Sequence, residues 1–364
     1  MVRDRGTALA LPVVWDERHR RHDVGGGIWL GVELASDETP ARGDRLREAM
    51  VGAGATVHPA TDHGDGPVLA VHTPDYLAFL RRAHRDWLAA GHQLDPGQPD
   101  VVPYVFSLPQ ATSGRPPRRA TAIRAEVGQY AVDTMSPIGA GTYEAARAAV
   151  DVTLTAADLV LGGAAAAYAA VRPPGHHVGP GFYGGSCHLN NAACAAQHLV
   201  DRGGARVAIV DIDAHHGNGT QEVFWNRGDV FFGSVHVDPG AGWFPHTAGF
   251  ADEVGEGAGA GANRNQPLPP GSGDGPWGDA VQGLATAVAD HGADALVVSL
   301  GVDAAAGDPE SPLEVTGRGF AEAGRSLAAL GLPTVFVQEG GYDLDTLGDL
   351  VLAVLDGFEE ARDR

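Results

Sequence analysis

Residues 206–219 read RVAIVDIDAHHGNG, an apolar run followed at once by a dense group of acidic, imidazole and amide side chains. The run from Arg206 to Val210 has the length and the Val/Ile content of a buried strand. The polar residues begin where that strand would end. Because ligands bind beyond the carboxyl ends of the strands in open parallel sheets, this stretch predicts a site at the edge of such a sheet.

Strands and helices alternate through the rest of the chain. Apolar runs predict further strands at 164–171, 230–237, 295–300 and 333–337, and helical spacing of apolar residues predicts helices at 142–161, 192–202, 277–291, 319–330 and 344–357. This alternation indicates βαβ units and a parallel sheet. We therefore expect residues 1–364 to form a single α/β domain in which helices cover both faces of the sheet.

Two long segments interrupt the alternation. Residues 93–137 are rich in Pro and Arg, residues 238–276 are rich in Gly and Pro, and neither segment has a clear period. Both are too long to be simple connections in a compact domain, so we interpret them as functional loops. The basic run from Arg115 to Arg124 lies in the first segment. It is more typical of a solvated or interface loop than of a nucleic-acid surface.

The composition narrows the range of functions. The 364 residues carry a formal net charge of -21, and all 25 basic residues are Arg. Such an acidic chain is not expected to bind nucleic acid, which needs clustered basic charge. The chain has two Cys, an N-terminal apolar stretch (Ala8 to Trp15) too short for a signal peptide, and no run near the roughly 18 apolar residues of a membrane span. We expect a cytoplasmic protein with no nucleic-acid or membrane partner.

Four predicted strands end in polar groups that would meet at one edge of the sheet. Asp213 and His215 follow one strand and are two residues apart, so their side chains can face the same cation. Asp303 follows another strand. Two carboxylates and one imidazole make an open zinc site with room for water and substrate. A lone Asp-x-His could equally cap a helix, and it is the agreement of four strand ends that favours a metal.

Acid–base groups accompany these ligands. His176 and His177 lie side by side after the strand at 164–171, and two such imidazoles can accept a proton from water and return one to a leaving amine. Asp211 and Asn218 are suited to set their tautomers. Tyr342 follows two glycines, so its hydroxyl can approach the metal and polarise a carbonyl oxygen.

Taken together, these motifs resemble those of the histone deacetylase superfamily, which has an arginase-like α/β fold with about eight central parallel strands. The matching motifs are Arg172-Pro-Pro-Gly-His-His177, Asp211-x-Asp-x-His-His-Gly-Asn-Gly219, Ser234-Val-His236, Gly301-x-Asp303 and Glu339-Gly-Gly-Tyr342. The resemblance implies one Zn²⁺ on Asp213, His215 and Asp303, with His177 as general base beside His176 and Tyr342 as oxyanion donor. It also implies a structural K⁺ around Asp211, Asp213, His215, Ser234 and Val235.

Within that superfamily the chain is most similar to the acetylpolyamine amidohydrolases. The stretch from Gly184 to Ala193 resembles their version of the motif, and the 93–137 insertion resembles their dimerisation loop, which implies a homodimer. The resemblance also implies that substrate contacts come from Gly185, Ser186, Phe244, Glu310, Gly340 and Gly341.

Three positions refine the comparison with the family. Ser186 stands where the family usually has Phe or Tyr in the wall of the substrate tunnel, while Phe244 keeps the opposite wall. Glu310 follows Gly307-Asp308-Pro309, where polyamine-specific relatives can carry an acidic gatekeeper. Gly217 replaces the extra carboxylate of the two-manganese arginases, so a single zinc is expected. The early motif at Asp37-Glu-Thr-Pro40 departs from the family pattern and is expected to alter only a loop.

The sequence therefore predicts a zinc-dependent amide hydrolase that releases a carboxylate from an N-acylated amine. An acetylpolyamine or a similar small acylated amine is the favoured substrate. A protein-lysine deacylase and a deacylase of secondary metabolites use the same chemistry and stay open, since Ser186 leaves room for a larger acyl group or a bulkier amine. A non-catalytic sensor is disfavoured because the ligands, both histidines and Tyr342 are all present.

Overall fold

The computed structural model describes residues 8–108, 113, 115 and 118–362. In this part of the chain the strands are β1 (Val13–Trp15), β2 (Gly27–Trp29), β3 (Val32–Leu34), β4 (Val57–Pro59), β5 (Ala166–Ala169), β6 (Val207–Asp211), β7 (Val230–Val237), β8 (Asn263–Leu268), β9 (Ala295–Leu300) and β10 (Thr334–Gln338). The helices are α1 (Pro40–Gly52), α2 (Gly66–Leu69), α3 (Pro74–Ala89), α4 (Ile123–Tyr130), α5 (Thr142–Leu161), α6 (Asn191–Gly203), α7 (Asn218–Phe224), α8 (Asp274–His291), α9 (Gly317–Ala328) and α10 (Leu347–Arg362).

Eight of these strands form one parallel sheet in the order β4-β1-β5-β10-β9-β6-β7-β8. The remaining two, β2 and β3, pair as an antiparallel hairpin. The strands β5, β10, β9 and β6 are consecutive neighbours at the centre of the sheet. Their carboxyl ends therefore bring the residues that follow Ala169, Gln338, Leu300 and Asp211 to one place.

Helices cover both faces of the sheet, which explains why its central strands are apolar on both sides. One hydrophobic core lies between the sheet and α3, α5 and α6, and a second core lies between the sheet and α8, α9 and α10. Every residue of β5, β6, β7, β9 and β10 is buried. The single α/β domain that the sequence predicts is confirmed.

The predicted elements match the observed ones closely. The helix at 142–161 and the strands at 230–237 and 295–300 agree at both ends. The predicted strands at 206–210 and 333–337 begin and end one residue too early, and the one at 164–171 is two residues too long at each end. The helix predicted at 344–357 is shifted toward the N-terminus. The observed helix α10 begins at Leu347 and continues to Arg362. None of the helices in the described ranges combines the length and apolarity needed to cross a bilayer.

The interpretation of residues 238–276 and 93–137 purely as loops is wrong in part. The first segment contains β8, which escapes prediction because the edge strand reads NRNQPL and has no apolar run. The second contains α4, which is only eight residues long. Residues 109–112, 114, 116 and 117 lie outside the described residues, and so do residues 1–7, 363 and 364. The basic run from Arg115 to Arg124 is therefore described only in part.

Helices α9 and α10 pack at backbone distance because glycines line their crossing. A Cβ on Gly324 would lie 2.1 Å from the carbonyl oxygen of Val354, and a Cβ on Gly357 would lie 2.1 Å from that of Ala321. Gly278 in α8 has open space around it, with no atom within 4 Å of the point that an alanine methyl would occupy. The two kinds of helical glycine should respond to substitution in opposite directions.

We expect Gly324→Ala to lower the free energy of unfolding by about 1–3 kcal/mol, because the added methyl forces α9 away from α10. Gly278→Ala should raise the same quantity by about 0.5–1 kcal/mol, since alanine is the better helix former and nothing obstructs it. Urea denaturation of the two variants beside the parent measures both changes. A Gly324→Ala protein as stable as the parent would contradict this account of the packing.

Candidate active site

Asp213, His215 and Asp303 come together where β6 and β9 end. The Nδ1 atom of His215 lies 3.3 Å from Oδ1 of Asp213 and 3.0 Å from Oδ2 of Asp303. One ligand atom from each of the three residues lies within 4.8 Å of the other two. Both carboxylates are completely buried. Two carboxylates and an imidazole that face one point are a donor set suited to a divalent cation such as Zn²⁺.

Backbone groups orient these carboxylates. The amide N–H of Gly340 donates to Oδ2 of Asp213 at 2.7 Å, and that of Ala214 donates to Oδ1 of Asp303 at 2.8 Å. Gly301 and Gly340 leave the necessary space, because a Cβ on either would lie within 2.3 Å of a carboxylate oxygen of this group. The glycines beside these strand ends are thus required by the carboxylates that pack against them.

The two buried carboxyl groups have opposite pKa shifts. Burial and the charge of Asp213 raise the pKa of Asp303 to about 7. Burial would also raise the pKa of Asp213, but the positive charges of His176 and His215 hold it below its ordinary value. Two like charges at this separation repel, and a cation between them would remove that repulsion. The electrostatics of the three residues therefore fit a metal ion.

The paired histidines have different partners. The Nδ1 atom of His176 lies 2.9 Å from Oδ2 of Asp211, and Nδ1 of His177 lies 2.7 Å from Oδ1 of Asn218. The two rings are 4.0 Å apart between centroids. Both partners are the ones that the sequence predicts. A carboxylate stabilises a protonated imidazole, whereas an amide oxygen fixes the tautomer without adding charge.

These partners separate the pKa values of the two imidazoles. Burial alone would lower the pKa of His176, but Asp211 and Asp213 raise it to about 10. Burial and the charge of His176 lower the pKa of His177 well below its ordinary value. These shifts favour the charged form of His176 and the neutral form of His177. Titratable neighbours with diverging pKa values are the usual mark of an acid–base pair.

Tyr342 is held by its backbone and by its ring. Its amide N–H donates to Oδ2 of Asp308 at 2.8 Å, and the guanidinium of Arg42 lies 4.7 Å from the ring centroid. Burial raises the pKa of the hydroxyl, with the charges of Asp303 and Asp213 adding to the effect. Tyr342 therefore keeps its proton beside the carboxylates and remains a hydrogen-bond donor.

Three of the predicted substrate contacts lie around His177. The ring of Phe244 meets the ring of His177 edge-on at 4.7 Å. Gly185 packs so closely that a Cβ there would lie 2.1 Å from Cδ2 of His177. The amide N–H of Ser186 donates to Oγ of Ser136 at 2.8 Å, which ties this wall to the 93–137 segment.

Glu310 lies at the edge of the site and is half-buried. Burial raises the pKa of its carboxyl group and the charge of His215 opposes this, while a hydrogen bond with Asp37 and the charges of Asp37 and Asp308 raise it further. The sequence predicts an acidic contact at Glu310. It does not predict that Asp37 would supply a second carboxyl group beside it.

The residues predicted to surround a monovalent cation are also neighbours. Asp211 is paired with Ser234 across β6 and β7, and Val235 follows along β7. Ser234 Oγ lies 2.8 Å from Nδ1 of His236. Oδ1 of Asp211 accepts the amide N–H of Asp213 at 3.1 Å. The side chains of this group that are buried are those of Asp211, Asp213, Ser234 and Val235.

A group of charged residues beneath the site was not predicted. Arg42 donates through Nε to the carbonyl oxygen of Gly341 and through Nη2 to that of Glu339, both at 2.6 Å. The carboxylate of Glu38 lies 2.9 Å from Arg42 and 2.8 Å from Arg172. The N-terminal half of the chain gives no strand-end pattern that would place Glu38 and Arg42 here. A charged residue in the buried face of α1 is the one signal that could have found Arg42.

The sequence also predicts no role for Glu339, although this residue begins the motif Glu339-Gly-Gly-Tyr342. Its side chain is completely buried, and its Oε2 atom accepts the amide N–H groups of Gly175 at 2.7 Å and His176 at 3.2 Å. The Oγ hydroxyl of Ser299 donates to Oε1 at 3.2 Å. Glu339 thus joins the loop of the paired histidines to the loop of Tyr342.

Comparison with known proteins agrees with this geometry. Residues 36–358 match the model of the family described as "Histone deacetylase domain". The chain is 42% identical to acetylpolyamine amidohydrolase 1 of Pseudomonas aeruginosa, with 96% of this chain and 99% of that protein aligned. It is 40% identical to the acetylpolyamine amidohydrolase of Mycoplana ramosa, with 95% and 99% aligned. The crystal structure of an acetylpolyamine aminohydrolase from Burkholderia pseudomallei superposes with a TM-score of 0.90 at 37% identity, covering 96% of this chain and 99% of that one.

Glu38 should be essential for stability because it neutralises two buried guanidinium groups. We expect Glu38→Ala to lower the free energy of unfolding by about 3–5 kcal/mol, since Arg42 and Arg172 are left buried and unpaired. Glu48 offers a matched control, because its pair with Arg45 at 3.1 Å is exposed and should contribute about 1 kcal/mol or less. Chemical denaturation of both alanine variants tests this, and equal losses would contradict it.

Proposed function

This chain belongs to the histone deacetylase family, and on that premise we propose that it hydrolyses the amide bond of an N-acetylated polyamine or a similar small acylated amine. The observation that supports the proposal is the cluster of Asp213, His215 and Asp303. Beside it lie His176 and His177, which are hydrogen-bonded to Asp211 and Asn218 respectively. The products are a carboxylate and a free amine. The relatives named acetylpolyamine amidohydrolases, which align over nearly their whole length, support this choice of substrate.

Asp213, His215 and Asp303 would hold one zinc ion, which when bound supplies Lewis-acid activation of the amide and of the attacking water. Gly217 supports a single ion. A second metal of the arginase type would need a carboxylate at that position, but a Cβ there would lie 2.3 Å from Oδ2 of Asp211. As part of the same proposal, Asp211, Asp213, His215, Ser234 and Val235 surround a structural K⁺.

The protein groups divide the proton transfers between them. His177 is neutral because burial and the charge of His176 lower its pKa, so its imidazole accepts the proton of the attacking water. His176 stays protonated through Asp211 and stabilises the negative charge that develops nearby. The Tyr342 hydroxyl donates a hydrogen bond to the substrate oxygen as it becomes an oxyanion. A protonated imidazole then gives its proton to the departing amine.

The edge of the site favours a cationic amine. Glu310 and Asp37 place two carboxyl groups in contact at this edge, and the whole chain carries a net charge of -21. Such a charge attracts cationic ligands and disfavours nucleic acid. Gly340 and Gly341 keep the loop of Tyr342 close to the carboxylates, while Phe244 and Ser186 would flank the aliphatic part of the substrate.

We propose further that two copies of the chain associate through the 93–137 segment. Tyr104, Val105 and Leu108 of this segment are exposed apolar residues, as are Trp29 and Leu30 of the hairpin beside it. Ile28 in that hairpin donates its amide N–H to the carbonyl oxygen of Thr134. The two cysteines are free, which fits a reducing compartment such as the cytoplasm.

Turnover of N-acetylputrescine and N8-acetylspermidine by the zinc-loaded protein tests the proposed reaction. We expect Tyr342→Phe to lower kcat about 10²–10³-fold, because it removes one oxyanion donor. Tyr143→Phe, which alters a tyrosine hydroxyl that pairs with Arg81 at the surface, is the matched control and should leave kcat unchanged. Turnover of acetyl-lysine or long-chain acyl-lysine peptides alone would instead identify a protein deacylase. Absence of turnover with zinc bound would point to a secondary-metabolite substrate or a sensor.

Charge recognition at Glu310 can be tested with a pair of substrates. Glu310→Gln should lower kcat/KM for N-acetylputrescine about tenfold or more, since a hydrogen bond to a charged group contributes about 1.5–3 kcal/mol. N-butylacetamide has the same carbon chain without the terminal amine, so its kcat/KM should change little. The exposed Glu314 provides the control substitution Glu314→Gln. Equal losses for the two substrates would rule out recognition of the amine by Glu310.

A further inference from the structure

A second group of metal-ligating side chains lies beside the proposed zinc site. Among the described residues, His176, Cys187 and Glu339 also bring one ligand atom each to within 4.8 Å of one another. They come from three separate segments, after β5, before α6 and after β10. All three side chains are buried, with 2% of His176 and none of Cys187 or Glu339 exposed. The proposed mechanism uses His176 but leaves the thiol of Cys187 without a role.

Hydrogen bonds already orient the carboxylate of this group. Glu339 accepts two amide N–H groups on Oε2 and the hydroxyl of Ser299 on Oε1. A carboxylate can accept about four hydrogen bonds, so one lone pair of Glu339 is still available. Burial raises the pKa of Glu339 and the charge of His176 opposes this rise, so that the pKa is about 7. A cation that reached Glu339 would thus meet a carboxylate already fixed in place.

The thiol of Cys187 points to the kind of cation. Cys187 forms no disulfide. Burial and the charge of Glu339 raise its pKa, while the backbone amide of His177 acts in the opposite direction. A buried thiol becomes a ligand by exchanging its proton for a cation that binds sulfur strongly. Thiolate, imidazole and carboxylate together select thiophilic divalent ions, whereas Asp213, His215 and Asp303 include no sulfur.

We propose that His176, Cys187 and Glu339 form a second metal site, which takes a thiophilic divalent cation such as Cd²⁺ and inhibits the enzyme when filled. On binding, the S–H bond of Cys187 and one N–H bond of the protonated His176 break, both protons leave to solvent, and the freed sulfur and nitrogen lone pairs bind the cation. The thiolate and the carboxylate balance the two positive charges of the ion. Coordination occupies a ring nitrogen of His176, so the imidazole can no longer carry the proton that the proposed mechanism gives it.

The two halves of this proposal are separable. Binding follows from the three ligands alone and does not depend on the reaction. Inhibition rests on the proposed function, because it assumes that an uncoordinated His176, hydrogen-bonded to Asp211, is needed for turnover. The binding half therefore needs a measurement that does not involve activity.

The ultraviolet charge-transfer absorption of a cadmium–thiolate bond provides that measurement. Zinc-loaded protein is titrated with Cd²⁺ while absorption and turnover are recorded on the same samples. We expect one thiolate-bound Cd²⁺ per chain and a parallel loss of turnover of at least tenfold at saturation. Exchange of Cd²⁺ for zinc at Asp213, His215 and Asp303 gives no such band, because that site has no sulfur.

The chain offers a matched control in its second free cysteine. Cys194 is buried in α6 and belongs to neither ligand group in the described residues. Cys187→Ser should abolish both the absorption band and the inhibition by Cd²⁺, whereas Cys194→Ser should keep both. A band that persists in Cys187→Ser, or one that disappears in Cys194→Ser, overturns the assignment.

X-ray absorption of cadmium bound to the unmodified protein keeps the test valid if a cysteine variant fails to fold. One sulfur in the cadmium shell, with nitrogen and oxygen completing it, supports the site, and a shell without sulfur overturns it. If Cd²⁺ binds through Cys187 and turnover is fully retained, the proposed inhibition is wrong. That result would also contradict the role proposed for His176 in the reaction. A protein that binds Cd²⁺ through Cys187 but turns over no substrate keeps the site and removes the proposed function.

Discussion

The contact of His215 with two buried carboxylates is the constraint on which the rest of the site depends. Asp213 and Asp303 have no exposed surface, and burying two like charges at this separation costs several kcal/mol unless a positive charge lies between them. Without a metal, the imidazoles of His215 and His176 are the neighbouring groups that can supply that charge. A bound divalent cation would replace the proton of His215, whose imidazole would then be a neutral ligand. The sheet makes the arrangement possible because β6 and β9 are neighbours whose carboxyl ends open on the same edge.

The loop after β10 connects the proposed metal ligands to the paired histidines and to Tyr342. The carboxylate of Glu339 holds the backbone of the paired histidines, the amide of Gly340 holds Asp213, and the carbonyl of Gly341 accepts from Arg42. Arg42 in turn lies under the ring of Tyr342. A change in this short loop would therefore displace a metal ligand, the histidines and the oxyanion donor together. The buried charge of Glu38 stabilises the loop indirectly by neutralising Arg42.

The parts of this structure that the sequence predicts are those encoded locally. The buried strands β5, β6 and β9 are continuous apolar runs, and the polar residues lie in the loop that follows each strand. Asp213, His215, Asp303, His176 and His177 could therefore be named without coordinates. The strand β8 could not be predicted, because it lies at the edge of the sheet and its polar sequence NRNQPL has no apolar periodicity. The roles of Arg42, Glu38 and Asp37, the partner of Glu310, were not predicted for another reason. Their roles arise from contacts over long separations in the chain, and a charged residue in an early helix is ordinarily exposed.

The most direct test of the central claim is anomalous X-ray diffraction at the zinc edge from crystals of protein loaded with one equivalent of zinc. We expect a single strong peak, bound by one carboxylate oxygen each of Asp213 and Asp303 and by Nδ1 of His215. A peak elsewhere, two metal peaks among these residues, or no peak in protein that turns over substrate would contradict it.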